Sequence, residues 1–148
     1  MGGLFVLDTV GFINYFNDFF SEDNKLSPKA RGIIELCFDY TQSQYKLSIP
    51  SVVLLEIFEK FLRGEDIVLK FRYEIFSKIE HNPDIEIKSI DKEVLYYYSL
   101  IDDDIIKLEY HDKLITASAI QINAPLITCD SKIIEYMSKS PKPIELIF

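Results

Sequence analysis

The sequence predicts an α/β fold, a three-layer α/β/α sandwich with a mostly parallel central sheet. Two observations lead there. Strand-like apolar runs alternate with segments of helical period along the chain, the order that builds strand-helix-strand units. The first run, LFVL, is apolar at every position instead of alternating, as a strand covered on both faces is. No linker or internal repeat interrupts the pattern, so residues 1–148 are read as a single domain.

LFVL, residues 4 to 7, makes the first strand and stops at Asp8. Thr9 then caps a helix over Val10 to Phe20, in which Phe12, Ile13, Phe16 and Phe20 fall at helical spacing. After the break SEDNKLSP, Ser27 and Pro28 supply an N-cap and a first-turn proline for a second helix reaching about Gln42. Its buried side draws on Ile33, Ile34, Leu36, Cys37 and Tyr40. KLSIP is a short strand, and SVVLLEIFEKFLRG a helix ending at Gly64. Residues 65 to 82 form another helix, ending before Pro83 and pairing with its predecessor as a hairpin. IEIK, residues 85 to 88, alternates as an edge strand does, and Asp91 caps a helix through YYYSLI toward Asp102-Asp103-Asp104. Leu114, Ile115, Ser118, Ala119 and Ile122 share a helical face rich in small residues, which Ala124-Pro125 ends before the strand LITC. Asp130 and Ser131 open a last helix, and IELIF supplies an edge strand.

With 48% hydrophobic residues, 11 Phe and 9 Tyr, the chain has the composition of an ordered globular protein. Cys37 and Cys129 stand in no metal-ligand spacing and follow no secretory signal, which fits the reducing cytoplasm and small buried thiols better than a disulfide framework. No apolar run approaches the ~20 residues of a membrane span. Sixteen basic against 24 acidic side chains give a net charge of -8, which opposes electrostatically driven binding to a nucleic-acid backbone. That objection loses force if some of the acids hold a cation.

Asp8 and Asp130 both follow strand-like runs, the place where parallel sheets gather ligands, and both precede helices, where a carboxylate serves as a cap. Asp112 opens its helix, where the macrodipole welcomes negative charge. Glu56 lies within VVLLEIF, where most directions face apolar packing and an unpaired carboxylate is costly; the bland alternative is a solvent stripe with Glu59, Lys60 and Arg63. Four acids from separate elements, converging on one crevice, would hold Mg2+ or Mn2+, polarise a phosphoryl oxygen and activate water for phosphodiester hydrolysis.

The order LDT (7–9), PSVVLLEI (50–57), HDKLITASA (111–119) and LITCD (126–130) resembles the PIN-domain ribonucleases, and among them the VapC-type toxins. The resemblance makes the sandwich PIN-like and implies a Mg2+- or Mn2+-dependent endoribonuclease acting on RNA. It also implies a homodimer, silenced by a protein antitoxin whose tail fills the acidic groove. Asp8, Glu56 and Asp112 would be the principal metal ligands and Asp130 would hold a second ion or a water. Thr128 matches a hydroxyl position of the family and would orient Asp130 or the water, although a buried strand threonine is equally ordinary. Cys129 stands where many members carry a basic residue. Lys113 and Lys132 each follow a proposed ligand and are candidate phosphate contacts, against the plainer reading of solvated charges.

His111 is left out of this site, because metal-activated water requires no histidine. The Asp102–Asp104 run reads as a solvated helix end, and Tyr96, Tyr97 and Tyr98 as packing residues, since three consecutive side chains point around a helix. A PIN nuclease of RNA processing and a catalytically silent PIN-like binding module remain as alternatives. A receiver-type signalling domain does not fit, because the central strand KLSIP offers no aspartate.

Overall fold

The computed structural model describes residues 3–39, 44–141 and 143–148; Tyr40 and the helix end expected near Gln42 lie outside them. Among these residues, strands β1 (Gly3–Leu7), β2 (Tyr45–Pro50), β3 (Ile85–Lys88), β4 (Leu126–Ile127) and β5 (Leu146–Ile147) form one sheet in the order β3-β2-β1-β4-β5. Every pairing is parallel. Consecutive buried residues, Val6-Leu7, Leu47-Ser48-Ile49 and Leu126-Ile127, point to opposite faces, so both faces are covered and the molecule has the expected three layers. The chain winds outward from β1 through β2 to β3, then returns to place β4 on the other side of β1. That reversal opens a crevice beyond the carboxyl ends of β1 and β4.

The helices are α1 (Thr9–Tyr15), α2 (Asn17–Phe20), α3 (Pro28–Asp39), α4 (Ser51–Lys60), α5 (Glu65–Phe71), α6 (Ser77–Glu80), α7 (Lys92–Ser99), α8 (Tyr110–Ile122) and α9 (Ser131–Lys139). Several expected boundaries shift. Asp8, not Thr9, caps α1, its Oδ1 accepting from Gly11 N at 2.7 Å. The helix expected over residues 10–20 breaks at Phe16, whose ψ of 40° lets the rings of Phe12, Phe16 and Phe20 pack together and around Phe71 and Phe38. Ser27 and Asp91 cap their helices as expected, accepting from Ala30 N and Val94 N. Leu36 is exposed, against expectation, because α3 buries Ala30, Ile33, Ile34 and Cys37 instead.

α4 ends at Lys60, and Gly64, at φ +100°, turns the chain into α5. Against the expected hairpin, α4 packs mainly against α8 and α1, and it meets α5 through an edge contact between Phe58 and Phe71. Between α5 and α6 the helix continues through a wide π turn at Arg72–Phe76. Buried Phe71, Ile75 and Ile79 recur every four residues and keep one side of this continuous helical stretch on the core. α8 is buried on all sides from Leu114 to Ala119, so its small residues admit neighbours around the whole circumference. Cys37 is buried as expected, but Cys129 is half-buried with Sγ 3.6 Å from the Lys25 carbonyl. No helix among the described residues is long and apolar enough to cross a membrane.

Candidate active site

The crevice at β1 and β4 is laced together by one hydrogen-bond chain. Asp8 N donates to Ile127 O at 3.2 Å, tying the end of β1 to β4. The Asp8 carboxylate takes Gly11 N on Oδ1 and the Thr128 hydroxyl on Oδ2. Thr128 Oγ1 in turn accepts from Asp130 N at 3.0 Å, and Asp130 Oδ1 caps α9 through Lys132 N and Ile133 N at 2.9 and 3.1 Å. Capping and site-lining, set against each other in the sequence, are therefore compatible for both aspartates. Gly11 leaves space for this arrangement: a Cβ on it would lie 2.8 Å from Leu7 Cδ1 and 2.9 Å from Asp8 Oδ1, so one of the two side chains would have to shift.

The other wall is built where α4 meets α8. Glu56 projects from α4 with only 11% of its side chain exposed, and its Oε2 lies 2.8 Å from His111 Nε2 and 3.0 Å from Lys60 Nζ. Both readings of Glu56 hold a part of the answer, for it pairs with Lys60 along a helix stripe while facing the crevice. His111 is buried and also approaches Glu109 Oε2 at 3.4 Å and Asp112 Oδ1 at 3.7 Å. Left out of the expected set, His111 nevertheless lines the same cavity, beside Glu56 and Asp112.

Asp8, Glu56, Asp112 and Asp130 all line one cavity of about 160 Å3, together with Lys60 and His111. A larger cavity of about 390 Å3, between Tyr15, Arg31, Lys70 and Lys78, contains none of the four. Burial pushes the Asp8 carboxyl up to about 7, against the lowering hydrogen bonds from Thr128 and Gly11 and with added repulsion from Asp130 and Asp112. Burial likewise raises Asp112 to about 6, reinforced by Asp130 and opposed by His111. Among the described residues, no three His, Cys, Asp or Glu side chains form a ready-made ion cage. The donor chemistry nevertheless fits a hard divalent cation: carboxylate oxygens crowd one cavity, and their crowding and burial favour protons that a cation would replace.

Neither lysine expected to meet phosphate lines this cavity. Lys113 is engaged elsewhere, its ammonium 2.6 Å from Asp103 Oδ1 and over the Tyr98 ring. Lys132 is exposed on the first turn of α9. The cation that does line the cavity, Lys60, was visible in the sequence only as the residue one turn beyond Glu56. Gly11 had a fainter signal, a glycine inside an apolar helix three residues after an aspartate.

The family model of the PIN domain matches residues 5–138. No curated protein matches the chain in sequence. Among solved structures, the chain resembles VapBC2 from Rickettsia felis bound to a DNA fragment from their promoter, with a TM-score of 0.62 and 20% identity over 97% of this chain and 96% of that one. It resembles FitAcB from Neisseria gonorrhoeae with a TM-score of 0.60 and 15% identity over 97% and 96%. VapBC-5 from Mycobacterium tuberculosis, a member of the VapBC family of toxin-antitoxin systems, aligns with a TM-score of 0.59 and 18% identity over 98% of each chain.

Proposed function

Because the chain belongs to the PIN-domain family, whose members are generally nucleases using divalent ions, we propose that it is a Mg2+- or Mn2+-dependent endoribonuclease and the toxin of a toxin-antitoxin pair. The observation that carries this reading is the meeting of Asp8, Glu56, Asp112 and Asp130 around one cavity at the carboxyl ends of β1 and β4. Asp8, Glu56 and Asp112 would hold the ion, with Asp130 serving a second ion or a water. When bound, the ion supplies positive charge for a phosphoryl oxygen and lowers the pKa of a water. Thr128 fixes the carboxylate of Asp8 and, through its own oxygen, the backbone of Asp130. His111, its Nε2 2.8 Å from Glu56 Oε2, backs that carboxylate from the first turn of α8.

RNA is the proposed substrate, reached without Lys113 and with few cations at the cavity. The antitoxin partner is supported by the VapBC complexes among the similar structures. A homodimer is part of the same reading, with exposed Leu95, Tyr96 and Leu100 at α7 as apolar surface for a protein partner.

The test is cleavage of a mixed RNA pool by purified, antitoxin-free protein with Mn2+, with Mg2+ and with chelator, beside Asp112→Asn and Glu56→Gln. Metal-dependent cuts should fall at least about a hundredfold in Asp112→Asn, more than the loss of an outer partner costs, and nearly as far in Glu56→Gln. Undiminished cleavage by Asp112→Asn would remove the assignment, and cutting that persists in chelator would remove the metal.

A further inference from the structure

Glu56 Oε2 is shared by two nitrogen groups, Lys60 Nζ at 3.0 Å and His111 Nε2 at 2.8 Å. The two are held differently. His111 is buried and wedged between α4 and α8, whereas Lys60 is about half exposed at the end of α4, with a flexible stem free to turn toward water. Among the described residues lining the acidic cavity, Lys60 is the one lysine or arginine.

We propose that Lys60 competes with the divalent ion for Glu56 and thereby sets the affinity of the site. The inference rests on the metal-dependent reading above and goes beyond it by assigning a role to a residue outside the carboxylate set. A divalent cation and an ammonium cannot share one carboxylate oxygen without strong mutual repulsion. Ion binding at Glu56 therefore works against the Lys60 ammonium and favours its departure, which a half-exposed lysine stem permits. His111 stays, because it is buried on the first turn of α8, with its ring fixed by that helix beside Glu56. Lys60 thus makes the four-carboxylate cavity a weaker ion site than its charge alone would produce.

Calorimetric titration of the whole protein with Mn2+, at fixed pH and ionic strength, tests this with no substrate present. Lys60→Met, which keeps the stem and removes the charge, should bind Mn2+ about three- to tenfold more tightly than the unchanged protein. Lys60→Arg should bind as the unchanged protein does, and Lys139→Met, which breaks a comparable pair with Glu135 on α9, should change nothing. Equal or weaker binding by Lys60→Met overturns the competition while leaving the metal site standing. Asp8→Asn separates the two ideas: if it binds Mn2+ normally, the carboxylate site itself is wrong whatever Lys60 does. Absence of binding by every protein overturns both.

Discussion

Asp8 holds two hydrogen-bond partners on one small side chain and is almost wholly buried, so its protonation reports on the crevice around it. Its folded pKa of about 7 stands far above the ordinary 3.8, so between those values the folded chain holds a proton that the unfolded chain has released. Stability is then highest below about pH 4 as far as this group is concerned, and is lost as pH rises through 7; Asp112 adds the same trend up to about 6. Melts in chelator should show the midpoint falling from pH 5 to pH 8, with the slope reduced in Asp8→Asn; a midpoint that rises over that window contradicts the account. Mn2+ added at pH 8 should restore most of the loss. Asp8 and Asp130 could be singled out at strand ends and Glu56 inside an apolar helix, while Asp112 joined them through the resemblance carried by HDKLITASA, since each aspartate also had a plain capping or helix-end explanation. Lys60 and His111 could not, because what recruits them is Glu56 on a helix wall, a contact between α4 and α8 that no local pattern encodes.

At the level of elements, strand positions and the caps Ser27 and Asp91 follow from local chemistry and were readable in advance. The break at Phe16 and the π turn at Arg72–Phe76 were not, since neither contains a proline or glycine; the break at Phe16 accompanies the packing of an aromatic cluster. Gly11→Ala probes the tightest junction, where α1 leaves β1 against Leu7 and Asp8. It should destabilise the fold by about 1–3 kcal/mol through overpacking, read by denaturant unfolding, and should weaken Mn2+ binding because Asp8 must move. Asp91→Ala, at the cap of α7 and outside the crevice, should cost about 1 kcal/mol and leave ion binding intact. A Gly11→Ala protein as stable as the unchanged one would mean that α1 is free to shift.

For the molecule as a whole, a net charge of -8 and a Lys113 already committed to Asp103 leave few cations for an RNA backbone. Binding of single-stranded RNA, measured with uncleaved substrate analogues across salt concentrations, should therefore show a shallow dependence, with a log-log slope no steeper than about -2, or some three phosphate contacts. A much steeper slope would place an extended basic track on this chain. The sheet itself is unevenly fastened. β1 and β2 pair over four positions, from Gly3 with Tyr45 to Val6 with Ser48, while β1 meets β4 over two and β4 meets β5 over two. In hydrogen exchange, the amides of Leu126 and Thr128 should accordingly trade with solvent well before those of Leu47 and Ile49, in a partial opening that peels β4 and β5 from an intact β1-β2-β3 core. In that opening Thr128 and Asp130 would leave with β4 while Asp8 stays on the core, so the hydrogen bonds from Asp8 N to Ile127 O and from Thr128 to Asp8 are the links that would break first.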